Sequence, residues 1–312
     1  MRAASQLSRR QDLRKELLEG VIVPMVTPFK RTSEQELDLT ALKKHTEFLV
    51  ENGVDGLMPL GTTGEFALLN RDERREVVRT VVETANGKIP VIAGVSESGT
   101  GIAIALAKDA EEERADQIIA TGPYYYRTND EGLYLHYQAI LDAVDLPMMI
   151  YNIPTWVGYN IPAGVVRRLV DRNPGRVVGV KYTTNDMTLF LDYVRELRKD
   201  LSIFVGSDSL IYAALELGAA GAVVGSANVF PRETVMICKC FQEGDFTESK
   251  KHQGNIDLFA CTMNLGTYPS AMKEALTMIG RDCGPVRRPL VPLTSTERAQ
   301  IKASLKWKTH RK

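Results

Sequence analysis

The run VVGVKY at residues 177–182 is apolar up to a lysine near its end. Seven other short runs have the same character, apolar or β-branched throughout rather than alternating with polar residues. This composition is typical of parallel strands that are buried on both faces. The other runs are VIVPMV (21–26), DGLMPL (55–60), PVIAGV (90–95), QIIATG (117–122), PMMIYN (147–152), SIFVG (202–206) and AGAVVGS (220–226).

Between these runs lie longer segments with apolar residues at helical spacing. In the first, Leu39, Leu42, Phe48 and Leu49 share one face, and Gly53 follows as a stop signal. Similar spacing predicts helices over 71–86, 101–114, 133–144, 162–173, 187–199 and 209–218.

Eight alternations of strand and helix predict an α/β protein, a (β/α)8 TIM barrel, rather than an open doubly wound sheet. The open sheet usually carries a G-x-G-x-x-G turn after its first strand, which this chain lacks. Four more helical stretches follow, at 231–243, 246–264, 269–280 and 295–306. We therefore expect an N-terminal extension (1–20), a barrel (21–243) and a small C-terminal helical appendage (244–312) that packs with the barrel as one unit.

Composition excludes several classes of protein. The 312 residues carry 39 Lys and Arg against 39 Asp and Glu, and 44% are hydrophobic. This balance argues against nucleic acid or a membrane surface as a partner, because such proteins usually carry a basic excess. No run reaches the roughly 18 apolar residues of a membrane span.

The chain shows no sign of export or of a metal centre. Residues 1–20 lack the apolar region of a secretory signal, and we expect a surface helix or a ragged tail there. The scattered histidines and cysteines fit no ligand spacing, so we expect no metal, no cofactor and reduced thiols in a cytoplasmic enzyme. The cysteines are Cys238, Cys240, Cys261 and Cys283.

Polar side chains concentrate where the predicted strands end, which is where barrel enzymes place their active sites. Lys181 ends a dry strand, and desolvation favours a neutral amine that can attack a ketone and form a Schiff base. Tyr151 ends the neighbouring strand, within reach for proton transfer. Thr62 and Thr63 lie in the turn Gly61–Gly64, which suits a carboxylate.

The order of these motifs resembles the family of dihydrodipicolinate synthase and N-acetylneuraminate lyase, Schiff-base aldolases that use pyruvate. G-T-T-G-E (61–65), G-P-Y-Y (122–125), Y-N-I-P (151–154), G-V-K (179–181) and R-R-P-L-V-P-L (287–293) carry the resemblance over about residues 20–307. It implies that Lys181 forms the Schiff base and that Tyr151 and Thr62 relay protons. It further implies that Thr63 binds the keto-acid carboxylate and that Tyr125 reaches the neighbouring subunit of a homotetramer, a dimer of dimers.

The substrate is the open question at this stage. Synthases of this family carry an arginine two residues after the proline of Y-N-x-P, and here that residue is Trp156. An indole cannot bind a carboxylate in a bidentate manner. We therefore predict a 2-keto-3-deoxy sugar acid aldolase, with Thr155, Asp208, Ser226 and Asn228 as the residues that bind the hydroxyl groups.

Four alternatives stay open. The first is dihydrodipicolinate synthase itself, which condenses pyruvate with aspartate semialdehyde, with Arg127 as a substitute cation. The second is a hydratase-aldolase of aryl-pyruvates, in which Trp156 stacks on the aromatic group. The third is an aldolase of phosphorylated substrates, disfavoured because no Lys or Arg lies between Gly206 and Phe230. The fourth is a relative that binds a keto acid without catalysis.

Overall fold

Eight parallel strands form the barrel in a computed structural model that describes residues 17–305. The strands are neighbours in the order β2-β1-β8-β7-β6-β5-β4-β3. A parallel bridge between Leu57 and Val91 joins the two ends of this order, so the barrel is nearly closed. The strands are β1 Gly20–Pro24, β2 Gly56–Met58, β3 Ile92–Gly94, β4 Gln117–Thr121, β5 Met148–Asn152, β6 Val177–Tyr182, β7 Ser202–Val205 and β8 Gly221–Val223. The predicted fold is confirmed.

Helices connect successive strands and cover the barrel from outside. Each predicted helix is present, with ends that differ by a few residues from the expected ones. The helices longer than four residues are α1 Leu39–Glu51, α2 Arg71–Ala85, α3 Thr100–Glu112, α4 Asp130–Ala143, α5 Ala163–Arg172, α6 Met187–Leu197, α7 Ile211–Glu216, α8 Pro231–Gln242, α9 Phe246–Ala260, α10 Ser270–Met278 and α11 Ser295–Ser304. A single helical turn at Pro154–Val157 follows β5. Among these described helices, none is long and apolar enough to cross a membrane.

Prolines explain why the early strands are shorter than the sequence predicts. The run at 55–60 forms strand only up to Met58, because Pro59 has no N–H for the ladder and Leu60 adopts a positive φ of 62°. Pro90 similarly precedes β3, and Pro24 ends β1. The chain after β1 and β2 is therefore free to form the loops that carry site residues.

Two apolar layers hold the barrel. Inside it, side chains from all eight strands form one cluster, which includes Ile22, Met58, Ile92, Ile119, Met149, Tyr151, Val178, Phe204 and Val223. Between strands and helices lies a larger cluster formed by the opposite strand faces and the apolar helix stripes. Burial on both faces is why the strand sequences do not alternate between apolar and polar residues.

Capping fixes where helix α2 begins, directly after the loop of Thr62 and Thr63. The Asn70 side chain accepts a hydrogen bond from the Glu73 N–H at 2.9 Å, and the Glu73 carboxylate accepts one from the Asn70 N–H at 3.0 Å. This reciprocal capping box satisfies two N–H groups of the first turn. The two threonines are therefore not needed as caps of this helix.

Helices α9 and α10 pack against the last part of the barrel. The Ser249 hydroxyl donates to the Ile237 carbonyl of α8 at 2.7 Å, and the rings of Phe230 and Phe259 lie 5.3 Å apart. The division at 20 and 243 stays a prediction, and most of the 1–20 extension lies outside the described residues. All four cysteines are free thiols, and only Cys261 is exposed.

Candidate active site

A cavity of about 390 Å³ opens at the carboxyl ends of the strands, where the sequence places the site. Its wall brings together seven of the predicted residues, from the ends of β5, β6 and β7 and from the loops after β2 and β5. Those residues are Thr62, Thr63, Tyr151, Thr155, Trp156, Lys181 and Asp208.

Lys181 and Tyr151 lie side by side, because β5 and β6 pair in the register Tyr151–Lys181. Both residues are 3% exposed, and the Lys181 ammonium lies 4.1 Å from the centre of the Tyr151 ring. Within residues 17–305, no carboxylate forms an ion pair with this ammonium. The amine is therefore available for chemistry within the cavity.

The loop after β2 presents two threonines to the cavity. Its backbone closes a tight turn in which Gly64 N–H donates to the Gly61 carbonyl at 2.9 Å. Neither glycine lines the cavity, and their predicted role in binding substrate stays a prediction. A side chain on Gly64 would come within 3.0 Å of the Met25 carbonyl, so this glycine permits a close approach of two backbones.

Asp208 faces the cavity from the end of β7. Its carboxylate accepts a hydrogen bond from the Ser226 N–H at 2.7 Å, rather than capping a helix. Burial raises the pKa of Asp208 above its ordinary value, while the bond from Ser226 and the charge of Lys181 oppose this change.

Ser226 and Asn228 do not line the cavity, so their contact with substrate stays a prediction without support from the cavity wall. Both are completely buried. The Asn228 amide donates to the Pro24 and Gly225 carbonyls at 2.9 and 3.0 Å, and its oxygen accepts from the Val26 N–H at 3.1 Å. With these hydrogen bonds, the Asn228 side chain joins the end of β1 to the end of β8.

The tyrosines and the arginine after β4 also lie away from the cavity wall. Tyr125 is 88% exposed and has a positive φ of 74°. Arg127 is exposed as well and does not line the cavity, and its role as a substitute cation stays a prediction. Lys181 is the one basic residue among those that form the cavity wall in the described part of the chain.

Several polar residues of the wall were not among the predicted site residues. Thr183, Asn185 and Ser207 follow β6 and β7, and this position at strand ends could have identified them from the sequence. Tyr268 comes from the segment between α9 and α10, and its hydroxyl lies 2.7 Å from the Thr63 hydroxyl. Nothing in the sequence pattern connects it with the strand ends.

Trp156 and Tyr268 also line a second cavity of about 220 Å³. Their ring centres lie 6.3 Å apart. Most of the other lining residues of this second cavity are apolar and follow β2, β4 and β5, and Leu290 comes from the segment between α10 and α11. The polar side chains of Thr62, Glu65 and Thr121 also line it.

A barrel with a buried lysine, a tyrosine and two threonines at its mouth has the site of a class I pyruvate aldolase. Comparison with known proteins agrees. The sequence profile described as "Dihydrodipicolinate synthetase family" matches residues 17–308, and the chain belongs to this family. Members are pyruvate-dependent lyases that form carbon–carbon bonds, so the expected enzyme class is confirmed.

Individual relatives cover nearly the whole chain. A 4-hydroxy-tetrahydrodipicolinate synthase from Pelobacter propionicus is 33% identical over 290 residues, which is 93% of this chain and 98% of the relative. The crystal structure of dihydrodipicolinate synthase from Aquifex aeolicus superposes with a TM-score of 0.89 at 32% identity, covering 93% of this chain and 98% of that one.

A third relative is a prophage protein of the same family from E. coli K12, whose structure is a complex with pyruvate. Its TM-score is 0.89 at 27% identity, covering 94% of this chain and 99% of that one. The relatives named as synthases support the alternative function better than the sugar-acid aldolase that the sequence analysis preferred.

Proposed function

We propose that this enzyme binds pyruvate as a Schiff base on Lys181 and joins it to an aldehyde. The observation that carries the proposal is the buried Lys181 amine, which lies beside Tyr151 in the cavity and has no carboxylate partner among residues 17–305. The amine attacks the keto carbon, and water leaves as the iminium forms. Loss of a proton from the methyl group gives an enamine. The enamine attacks the aldehyde carbon, and water then releases the product and restores the amine.

The neighbouring side chains have distinct roles in this proposal. Tyr151 and Thr62 move protons to and from the adduct, since both line the cavity with Lys181. Thr63 holds the pyruvate carboxylate from the loop after β2. Asp208, Thr155 and Trp156 lie on the remaining wall, where the aldehyde enters.

Likeness to the curated relatives favours aspartate semialdehyde as the aldehyde, and this makes 4-hydroxy-tetrahydrodipicolinate synthase the first candidate. The cavity wall favours a second candidate, the 2-keto-3-deoxy sugar acid aldolase. Its specific support is that Trp156 lies in the wall and that no arginine does, within the described residues. A carboxylate without a partner in such a site costs about 1–3 kcal/mol, whereas the hydroxyl groups of a sugar acid need only neutral partners.

Two assays test these proposals. Incubation with pyruvate and borohydride should add the mass of reduced pyruvate to the peptide that contains Lys181, and Lys181→Met should abolish labelling. Labelling elsewhere contradicts the mechanism. The ratio of kcat/KM for pyruvate plus aspartate semialdehyde to kcat/KM for cleavage of 2-keto-3-deoxygluconate then decides between the candidates.

We also propose a homotetramer, on the family resemblance. The exposure of Tyr125 on a constrained loop is compatible with a contact to a second subunit. Light scattering of the purified protein measures the oligomeric state, and a monomer contradicts the proposal.

A further inference from the structure

Tyr268 contributes a phenol to the cavity from outside the barrel. It lies between α9 and α10, and it lines the same cavity as Lys181 and Tyr151. Its hydroxyl is 2.7 Å from the Thr63 hydroxyl, which is the normal distance for a hydrogen bond between two hydroxyl groups. The Thr63 residue itself is only 3% exposed. The two side chains therefore form a hydrogen-bonded pair of hydroxyl groups at the cavity wall.

The number of available protons fixes the direction of this hydrogen bond once substrate is bound. A threonine hydroxyl has one proton, and a carboxylate can only accept. When Thr63 donates to the pyruvate carboxylate, its oxygen can still accept, so Tyr268 must be the donor. Burial raises the pKa of Tyr268 well above its ordinary value, which keeps the phenol protonated.

We propose that Tyr268 is a positioning residue for the keto-acid substrate, whose hydroxyl donates to Thr63 and directs the Thr63 proton towards the substrate carboxylate. A hydrogen bond received by a hydroxyl strengthens the one that it donates. The site thus recognises the carboxylate through a chain that joins the C-terminal region to the loop after β2. This inference rests on the proposed Schiff-base function.

The test is borohydride trapping on Lys181 with two ketones, pyruvate and hydroxyacetone, which lacks the carboxylate. Tyr268→Phe should raise the pyruvate concentration for half-maximal labelling about three- to tenfold, the loss expected for one hydrogen bond. The concentration of hydroxyacetone for half-maximal labelling should not change. Tyr212→Phe is the matched control. Tyr212 is a buried tyrosine that does not line the cavity, and its hydroxyl donates to the Glu216 carboxylate over a distance of 2.9 Å.

Thr63→Val removes this hydrogen bond together with the one that Thr63 donates to the pyruvate carboxylate, so it is the reference against which the effect of Tyr268→Phe is compared. It should weaken labelling by pyruvate and leave labelling by hydroxyacetone unchanged. The double variant should be no weaker than Thr63→Val alone, because Tyr268 acts through Thr63.

Three results separate the possible failures. Equal weakening of both ketones by Tyr268→Phe means a structural role and overturns the inference. Unchanged labelling by pyruvate overturns it as well. Absence of any label on Lys181 in the unaltered enzyme overturns the proposed function instead.

Discussion

Replacing Lys273 with methionine should destabilise the protein strongly, because it breaks a buried ion pair. Lys273 on α10 lies 2.6 Å from the carboxylate of Glu65, and their side chains are 2% and 0% exposed. The ammonium also donates to the Pro285 carbonyl at 2.8 Å. Burial lowers the pKa of Lys273, and the charge of Glu65 opposes that change. The pair ties the loop of Thr62 and Thr63 to the C-terminal region.

The loss in free energy of unfolding follows from the contacts that Glu65 keeps after Lys273→Met. Glu65 keeps one hydrogen bond, from the Arg287 N–H at 2.8 Å, but its charge has lost its partner while its side chain is 0% exposed. Removing one member of a buried pair costs about 3–5 kcal/mol. Replacing both members by neutral groups of similar shape can be nearly neutral. Lys273→Met with Glu65→Gln should therefore recover about half or more of the loss.

Urea unfolding followed by circular dichroism measures these free energies of unfolding. Lys251→Met is the matched control, since the Lys251–Glu248 pair is 2.8 Å long but 51% and 42% exposed. The control should change the free energy by less than about 1 kcal/mol. If Lys273→Met costs no more than the control, or if the double variant is weaker than the single one, the account of this pair is wrong.

Three further predictions concern catalysis, specificity and pH. Tyr151→Phe should lower kcat by roughly 10²–10⁴-fold, as expected for loss of a proton-transfer group, with an unchanged circular dichroism spectrum; a smaller loss excludes it as the relay. Trp156→Arg should raise kcat/KM for aspartate semialdehyde relative to kcat/KM for 2-keto-3-deoxygluconate, because it adds a cation to the cavity wall. An unchanged ratio means that residue 156 does not determine which aldehyde is bound. Burial lowers the pKa of His45 and His136 from 6.5 to about 4. The unfolded state therefore binds protons before the folded state does as the pH falls, and the free energy of unfolding should decrease between pH 6.5 and 4. Urea unfolding at pH 7 and pH 5 should differ by about 2 kcal/mol for each histidine, and equal stability at the two pH values contradicts the assignment of neutral histidines.

The positions of several site residues could be predicted from local sequence patterns. Lys181 and Tyr151 could be placed together from the sequence because they end consecutive strands, and consecutive strands of a barrel are neighbours. Thr62 and Thr63 could be placed at the mouth for a similar reason, since they directly follow β2. Strand ends fix position along the barrel, but they do not fix the direction of a side chain. Asn228 follows β8 as expected, yet its amide turns inward to the carbonyls of Pro24 and Gly225.

The eight-fold alternation of buried strands and amphipathic helices could be predicted from the amino-acid sequence alone, and so could the edge of the barrel that holds the cavity. Which side chains complete the cavity wall depends on tertiary contacts. Tyr268 meets Thr63 across 205 residues of chain, and Lys273 finds Glu65 in the same loop. Such pairs cannot be identified from a periodic pattern in the sequence. They depend on how the C-terminal helices pack against the barrel rather than on the conformation of either segment.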